Sequence, residues 1–407
     1  MNYKMHILFL TDNFPPEVNA PASRTFEHAK EWVRLGCSVT VITCAPNFPK
    51  GEVYSGYKNK LWQEEKLEGI RVIRVWTYMA RNEGFLKRTL DYISFMISGF
   101  CASLFVRKVD VVVGTSPQFF TACSAWLSAL LKRRPFVFEL RDIWPESIRA
   151  VGAVKNARVI DLLEKVELFL YRRASAVIAV TKSFKENLVA RGIPAEKIHI
   201  VTNGVDTSRF VSREKDALLV KRLGLEGKFV AGYIGTHGMA HALETLLDAA
   251  QIFEDYGVSE VVFLFLGDGA KKEDLIELGS KLKNVIFLDS VPKEEVVSYW
   301  SLLDVSITHL RRSELFRAVI PSKIFECMAM GIPIVHGVEG ESAVIVEENE
   351  VGVTFEPENA SALYMALMKI KDDPKYRETL SLNGKNCAKH FDRSNLSIKM
   401  LSVLKRL

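Results

Sequence analysis

The chain has 407 residues, of which 48% are hydrophobic and 25% are charged, and this balance excludes a fibrous or largely disordered protein. A chain of this length exceeds what one hydrophobic core supports, so two domains of roughly 150 to 200 residues are expected. The charge is uneven, because residues 1–208 hold 29 Lys and Arg against 20 Asp and Glu, whereas residues 209–407 hold 25 against 29.

The six cysteines form no CxxC pair, and no histidine cluster has metal-ligand spacing. This pattern indicates reduced core thiols in a cytosolic protein without a metal site. The apolar run MHILFL is broken by Asp12 and is too short for a signal peptide, so it indicates a buried first strand. No segment reaches the roughly 20 apolar residues of a membrane span.

Strand-like runs alternate with helix-length segments along the first half of the chain. The run HILFL precedes a helix from Thr25 to Leu35, and the later runs are SVTVITC, VDVVVG, PFVFEL and AVIAV. This alternation is typical of a parallel, doubly wound sheet with helices on both faces.

The same alternation restarts after a charged connector that follows Phe210. Its strand-like runs are FVAGYIG, VVFLFLG, NVIFLD, DVSITHL and IPIVHG. The sequence therefore predicts an α/β protein with two Rossmann-like domains, residues 1–208 and 209–390, facing each other across a cleft. A C-terminal helix at about 391–407 is predicted to pack back on the first domain.

Three glycine-rich turns follow predicted strands of the second domain: Gly235 to His241, Gly267 to Ala270 and His336 to Ser342. Ligands of open α/β sheets bind beyond the carboxyl ends of the strands. An amphipathic helix follows the first turn, and first-turn amides with the helix dipole favour a phosphate by roughly 0.3 to 2 kcal/mol per charge. The alternative is a tight turn with no ligand.

The segment IPSKIFECMAMGIPIV predicts a short helix with Pro321 at its start and Gly331 as its left-handed cap. Lys323 and Glu326 share one face of this helix. They form either a surface ion pair or part of a ligand site. The neighbouring side chains favour the ligand site, because they are apolar and leave little polar surface for an ion pair: Ile324, Phe325, Cys327, Met328 and Met330. A carboxylate accepts hydrogen bonds from a diol and a lysine meets a phosphate, and a nucleotide carries both groups.

The order and spacing of six motifs resemble the retaining glycosyltransferases of family 4, which have the two-domain GT-B fold. The motifs are FPPE, FELRDIWPES, VTNGVDTSRF, FLGDGAKKEDL, NVIFLDSVPKEEVVSYWSLLDVSI and PSKIFECMAMGIPIV. Together they span nearly the whole chain. Within the family the chain looks most similar to bacterial enzymes that build O-antigen, capsule or colanic acid, including L-fucosamine transferases.

The resemblance implies that Glu326 binds the ribose hydroxyls of a nucleotide sugar and that Lys323 lies against its diphosphate. The strand Val285 to Leu288 is implied to border the base. The other donor-binding residues that the resemblance indicates are Gly235, Thr236, His237, Gly238, His241, Gly267 and Asp268, with Arg24 as a lining residue from the first domain.

The chain departs from the family pattern in two ways. The glutamate that commonly contacts the donor sugar is Ala318 here, which favours a donor sugar that is deoxygenated or bulky. The glycine turn holds Thr236 and His241 where Arg and Lys are common. The positive charge for the diphosphate is then expected from Lys323, helped by arginines of a following loop: Arg311, Arg312 and Arg317.

The motif FELRDIWPES places Arg141 and Asp142 after a strand of the first domain, on the predicted acceptor side. Asp142 is predicted to orient a sugar hydroxyl and Arg141 to contact the donor or a phosphate. With Lys323 and Glu326 they form the predicted catalytic set. The alternative is a buried Arg–Asp pair that fixes the loop, but Trp144 and Pro145 add a sugar-stacking surface and a rigid turn.

The segment from Arg81 to Lys108 has five basic and two acidic residues around an apolar run. It predicts either a buried crossover helix, at Ile93 to Leu104, or contact with an anionic membrane surface.

The resemblance implies a metal-independent enzyme that moves a sugar from a nucleoside-diphosphate donor, a UDP-sugar, to a lipid-diphosphate-linked saccharide. It is expected on the cytoplasmic membrane face, with neither a cofactor nor a nucleic-acid partner. A sugar-nucleotide epimerase of the same architecture and a non-catalytic two-domain binding protein remain as alternatives.

Overall fold

The computed structural model describes residues 4–17, 19–48, 51–79, 85–116, 118–143, 157–292 and 294–407. Contacts divide the chain into two compact units. Unit 1 contains Met1–Thr202 and Arg393–Leu407, and unit 2 contains Asn203–Asp392. The chain thus enters unit 2 a few residues before position 208 and returns to unit 1 for its last helix.

Unit 1 is built on one sheet of eight strands. The strands are β1 (His6–Leu10), β2 (Ser38–Cys44), β3 (Trp62–Leu67), β4 (Ile70–Val75), β5 (Val111–Thr115), β6 (Phe136–Leu140), β7 (Ala176–Ala179) and β8 (Ile198–Ile200). Their order is β3-β4-β2-β1-β5-β6-β7-β8, and every neighbouring pair is parallel apart from β3 and β4.

The predicted strands β1, β2, β5, β6 and β7 are confirmed, and their residues are almost all buried because helices cover both faces of a parallel sheet. Strands β3, β4 and β8 were not predicted from the sequence. The reason for β3 is its composition, since WQEEKL is an edge strand whose residues are exposed or half-buried.

Unit 2 contains a sheet of six parallel strands. They are β9 (Phe229–Ile234), β10 (Val261–Leu266), β11 (Val285–Leu288), β12 (Val305–His309), β13 (Ile334–Gly337) and β14 (Gly352–Thr354), in the order β11-β10-β9-β12-β13-β14. The first five match predicted runs, whereas β14 was not predicted. Both sheets confirm the α/β class.

The helices connect the strands in chain order. They are α1 (Ala20–Arg34), α2 (Phe85–Leu104), α3 (Phe119–Lys132), α4 (Ala157–Arg173), α5 (Lys182–Ala190), α6 (Ala217–Leu223), α7 (Glu244–Asp255), α8 (Lys272–Leu278), α9 (Val296–Trp300), α10 (Lys323–Met330), α11 (Glu341–Glu348), α12 (Ala360–Asp372), α13 (Pro374–Ala388) and α14 (Arg393–Leu404). Short 3-10 turns occur at Ala195–Lys197, Met239–His241, Glu314–Ala318 and Lys389–Phe391.

The strand order reverses at one point in each sheet, between β1 and β5 in unit 1 and between β9 and β12 in unit 2. Loops diverge at the carboxyl ends of such strands and leave a crevice where ligands bind. The reversal therefore predicts ligand sites at the turn after β9 in unit 2 and at the loops after β1, β5 and β6 in unit 1.

Helix α14 packs on α1 within unit 1. The indole nitrogen of Trp32 donates a hydrogen bond to the carbonyl oxygen of Ser397 at 2.9 Å. Leu396, Met400 and Leu401 join the buried core that lies under β1 and β2. The final helix thus completes the hydrophobic core of the unit that begins the chain.

All six cysteines are free thiols, and Cys37, Cys44, Cys327 and Cys387 are buried as expected. The prediction of a core position is wrong for Cys101, which is exposed on α2, and Cys123 is only half-buried. No helix in the described part of the chain is both long and apolar enough to cross a bilayer.

Candidate functional site

Two glycine turns pack directly against each other at the carboxyl ends of β9 and β10. The backbone nitrogen of His237 donates to the carbonyl oxygen of Asp268 at 2.8 Å, and that of Lys271 donates to the carbonyl oxygen of His237 at 2.9 Å. A Cβ atom on Gly267 would collide with the backbone of Gly235, and one on Gly269 would lie 2.5 Å from the carbonyl oxygen of His237. Only glycine permits this approach, so the two turns form one rigid platform.

Helix α10 brings Lys323 onto this platform. The helix buries its apolar side chains in the core of unit 2, and Gly331 ends it in the predicted left-handed conformation, with φ of 69°. The Lys323 ammonium lies 3.7 Å from the ring centroid of Tyr233. A Cβ atom on Gly235 would lie 2.8 Å from this ammonium, so the glycine also makes room for the lysine.

The Lys323 ammonium is buried and hydrogen-bonds to no described residue. Burial lowers the pKa of Lys323 to about 8, although Cys327 and Glu326 act in the opposite direction. The ring face of Tyr233 stabilises the cation but offers it no hydrogen-bond acceptor. The structure therefore contradicts the simple interpretation of Lys323 and Glu326 as an exposed surface pair, and Glu326 itself is half-buried one turn further along α10.

Two histidines complete this environment. His237 is fully buried, and no described residue hydrogen-bonds to either of its ring nitrogens. His241 is half-buried, and its ring packs against Gly238. The rings of His237 and His241 lie 6.0 and 5.9 Å from the Tyr233 ring. Burial, with repulsion from Lys323, lowers the pKa of each histidine to about 4.

His309 holds the backbone of this turn from the end of β12. Its Nε2 accepts a hydrogen bond from the backbone nitrogen of Glu358 at 2.9 Å, so its Nδ1 is the donor to the carbonyl oxygen of His241, at 2.7 Å. The Tyr233 hydroxyl donates to the carbonyl oxygen of Thr236 at 2.9 Å. Thr236 and Asp268 are exposed at the rim.

The amphipathic helix expected after the first glycine turn is α7, which begins only at Glu244. A 3-10 turn, Met239–His241, comes first, so the amides of Gly235 to Gly238 do not belong to the first turn of α7. The predicted apolar side is confirmed, because Leu243, Leu246 and Leu247 are buried.

The arginines expected to assist Lys323 are exposed and engaged in ion pairs with carboxylates. Arg312 pairs with Glu356 at 3.0 Å and Arg317 with Glu314 at 3.2 Å, while Arg311 lies 3.9 Å from Glu358. Ala318 is half-buried at the end of the 3-10 turn that follows β12.

In unit 1, the predicted residues Arg24 and Arg141 belong to a buried cluster of charges with Glu139. Arg24 donates to Glu139 at 2.8 Å and to the carbonyl oxygens of Val201 and Thr202. Its role as a nucleotide contact stays a prediction. Burial opposes ionisation of Glu139, but Arg24 and Arg141 lower its pKa to about 2.

Arg141 differs from Arg24 in its contacts. Its Nε and Nη1 are buried, and neither has a hydrogen-bond partner among the described residues. Burial lowers the pKa of Arg141 to about 10. The backbone nitrogens of Arg141 and Asp142 donate hydrogen bonds to Ser116 Oγ, at 2.8 and 3.2 Å, which ties the loop after β6 to the end of β5.

Among the described residues, Ser116 anchors the start of this loop, and the loop-fixing Arg141–Asp142 pair considered from the sequence stays a prediction. Trp144 and Pro145 lie outside the described residues. Sequence reasoning missed Tyr233, the ring around which Lys323 and both histidines gather, and Glu139, which lies between the two arginines. Glu139 lies inside the recognised motif FELRDIWPES and Tyr233 inside the strand-like run FVAGYIG, and neither has a distinctive spacing of its own.

Two family descriptions match this chain. Residues 19–204 match the glycosyl transferase 4-like domain, and residues 216–387 match glycosyl transferases group 1. Two parallel α/β units with a glycine-turn platform define the class as a glycosyltransferase with the GT-B fold. The chain belongs to glycosyltransferase family 4, and the resemblance drawn from its motifs is confirmed.

Among curated proteins, the chain is similar to WcaI of Escherichia coli (strain K12), whose name assigns it to colanic acid biosynthesis as a glycosyl transferase. The two are 26% identical over 388 residues, covering 91% of this chain and 93% of WcaI. A GDP-mannose-dependent alpha-mannosyltransferase of Mycobacterium tuberculosis (strain CDC 1551 / Oshkosh) is 24% identical, covering 86% of this chain and 83% of that protein.

Solved structures show the same fold at low identity. Anabaena HepE in complex with UDP aligns with a TM-score of 0.71 and 18% identity, covering 99% of this chain and 100% of that chain. Sucrose-phosphate synthase from Thermosynechococcus elongatus aligns with a TM-score of 0.74 and 16% identity, covering 99% of both chains.

Proposed function

We propose that this protein transfers a sugar, with retention of anomeric configuration, from a nucleoside-diphosphate donor to a lipid-linked saccharide in surface polysaccharide biosynthesis. The observation that carries the donor part is the buried Lys323 ammonium, which has no hydrogen-bond partner among the described residues. A buried cation is costly unless an anion joins it, so its position indicates an anionic ligand.

The platform suits a diphosphate. The Lys323 ammonium lies against Gly235, where the absence of a side chain lets a ligand approach the backbone. A phosphate there receives a charge-assisted hydrogen bond from Lys323. The half-buried Glu326 carboxylate accepts hydrogen bonds from the ribose diol, as the family resemblance implies.

The names of similar proteins support the donor and the pathway. HepE of Anabaena has been solved with UDP and with UDP-glucose, and the names of several relatives refer to colanic acid, teichuronic acid or capsular polysaccharide. A UDP-sugar is the proposed donor. Ala318, in place of the usual glutamate, favours a deoxy or N-acetyl sugar, and equal turnover of ordinary UDP-glucose and such sugars would remove that support.

Unit 1 is proposed to bind the acceptor. Two guanidinium nitrogens of Arg141 lack a partner among the described residues and suit an anionic group of a lipid diphosphate, and Asp142 orients the acceptor hydroxyl. Helix α2 is a crossover helix with one face in the core, yet Leu90, Ile97 and Leu104 are exposed on it. Basic residues near both ends of the helix complement an anionic membrane surface: Lys87, Arg107 and Lys108.

The proposed chemistry needs no metal. Charge that develops on the departing diphosphate is stabilised by Lys323 and by backbone amides of the glycine platform. The departing phosphate accepts the proton of the attacking hydroxyl on the same face of the sugar, which retains the configuration. Undiminished turnover in EDTA and an unchanged anomeric configuration by NMR are the expected results.

Glu326→Gln tests the donor site. We expect UDP affinity to fall about 10- to 100-fold, because an amide replaces a charged acceptor of the ribose hydroxyls. Isothermal titration with UDP and GDP measures this loss. Glu348→Gln, an exposed carboxylate at the end of α11, is the matched control and should retain affinity. Unchanged affinity of Glu326→Gln for both nucleotides would refute the site.

A second assay tests the transfer itself. Purified protein is incubated with a panel of UDP- and GDP-sugars, with and without membrane lipid extract. Diphosphate release that requires the lipid extract is expected. Release or epimerisation of sugar without lipid would instead support the epimerase, and binding without release would support a non-catalytic protein.

A further inference from the structure

Among the described residues, the glycine platform offers a diphosphate no second cation that is free of an acceptor. Lys272 is nearby, but its ammonium already hydrogen-bonds to the carbonyl oxygens of Gly267 and Leu288 and to Asp289. Lys271 pairs with Asp274 at 2.7 Å. Within the described residues, Lys323 is therefore the cation of this platform that remains without an acceptor, whereas a diphosphate ester carries two negative charges.

His237 and His241, named here the histidine pair, occupy the space around this lysine. Each ring lies about as far from the Tyr233 ring as the other, and Lys323 lies over the same ring. His237 has neither a donor nor an acceptor partner for its ring nitrogens among the described residues. Burying an imidazole without hydrogen-bond partners costs free energy. We therefore expect the His237 ring to gain a hydrogen-bond partner when a ligand binds to the platform.

The charged groups that face the pair come from several elements. Lys323 of α10 and Lys272 of α8 disfavour protonation of His237, and Asp268 of the second glycine turn favours it. Lys323, the ring of His309 at the end of β12 and His237 itself disfavour protonation of His241, whereas a hydrogen bond with the His309 backbone favours it. The histidine pair is therefore neutral at neutral pH while the platform is empty.

We propose that a bound nucleotide-sugar diphosphate draws a proton from solvent onto the histidine pair, which then supplies the second positive charge of the site. This inference rests on the proposed function, since it requires the diphosphate to lie at Gly235 and Lys323. The proton comes from buffer, binds a free imidazole nitrogen, and returns to solvent when the diphosphate leaves.

The expected pH dependence has a definite sign. An opposite charge within hydrogen-bonding range raises the pKa of a histidine, so the complex has a higher pKa than the free protein. The added affinity is fully present below the free pKa of about 4 and is lost as pH rises through the pKa of the complex. Donor binding therefore weakens as pH increases from about 6 to 8, by roughly 3- to 10-fold.

Isothermal titration at pH 6 in buffers of different ionisation enthalpy measures the proton directly. UDP-glucose and GDP-mannose are the probes, because their phosphates are esterified and do not titrate near this pH. Lys323, whose pKa is about 8, is already protonated at pH 6 and contributes nothing. We expect uptake of about half to one proton per bound donor.

Two variants localise the proton. His237→Gln with His241→Gln should abolish the uptake and weaken binding, while His390→Gln, an exposed histidine of the same unit, should leave the uptake unchanged. If the double variant does not fold, His241→Gln alone should reduce the uptake. NMR of the wild-type protein should also show imidazolium signals appearing when the donor is added.

Each outcome is decisive. Binding of either nucleotide sugar without proton uptake overturns this inference and leaves the proposed function standing. Uptake that survives in the double variant also overturns it, because another group then carries the proton. Failure of every nucleotide sugar to bind overturns both the inference and the proposed function.

Discussion

Arg24 in unit 1 and Lys323 in unit 2 are both buried cations near the carboxyl ends of parallel strands, but their surroundings differ. The Arg24 side chain is 7% exposed and pairs with Glu139, which is 1% exposed. The backbone carbonyls of Val201 and Thr202 accept further hydrogen bonds from it. The Lys323 ammonium lies on an aromatic ring and hydrogen-bonds to no described residue.

The difference separates a cation that holds the fold from one that awaits a ligand. The desolvation of Arg24 is compensated by the charge of Glu139 and by well-placed acceptors. The desolvation of Lys323 is not compensated, and the result is a pKa of about 8. Arg141 resembles Lys323 in this respect, because two of its buried nitrogens lack described partners.

The largest expected effect comes from breaking the paired cluster. Arg24→Met removes the hydrogen-bonded cation of the buried Glu139, for which the nearby charge of Arg141 compensates only in part, and should lower the free energy of unfolding by about 3 to 5 kcal/mol. Urea denaturation monitored by hydrogen exchange of peptides from β1 and β6 measures the loss of unfolding free energy in unit 1. Arg34→Met, which removes an exposed partner of Glu31, should cost no more than about 1 kcal/mol. Equal losses in the two variants would contradict the structural role of Arg24.

Lys323→Met should show the opposite pattern. Stability should be unchanged or higher, because the variant removes an uncompensated buried cation. Affinity for UDP-glucose should fall by about 2 to 3 kcal/mol, or roughly 30- to 150-fold, as one charge-assisted contact is lost. Calorimetry and thermal unfolding give the two values. Lys369→Met is the matched control, since Lys369 is exposed and lies 5.1 Å from the Tyr376 ring. A large loss of stability in Lys323→Met would contradict the comparison.

Gly235→Ala should have a smaller effect of the same kind. The new methyl group would lie 2.8 Å from the Lys323 ammonium and displace it, so UDP-glucose should bind about tenfold more weakly. Gly257→Ala is the control for a positive-φ glycine without a neighbour, because Gly257 has φ of 70° and no atom within 4 Å of its Cβ position. Gly235 has φ of 146°, so its variant also strains the backbone, and thermal unfolding measures that strain separately. Titration of both variants with UDP-glucose measures the two affinities. Equal affinities of Gly235→Ala and Gly257→Ala would contradict the displacement of Lys323.

The sequence predicted the strands whose residues are buried on both faces. Runs such as SVTVITC and VVFLFL are continuous and apolar because helices cover both sides of a parallel sheet. The edge strand β3 was not predicted because its residues, WQEEKL, are exposed or half-buried and form no continuous apolar run. The start of α7 was also misplaced, since the turn at Met239–His241 depends on the neighbouring strand end that holds His241.

The sequence by itself determined the α/β class, the glycine turns and the presence of Lys323 and Glu326 on one short helix, because these follow from local periodicity and from motif order. Tertiary structure alone decided that Lys323 lies over Tyr233 beside two neutral histidines, whereas Arg24 is neutralised by Glu139. The physical reason is that the cost of a buried charge depends on its partners in space, and strands distant in sequence supply those partners.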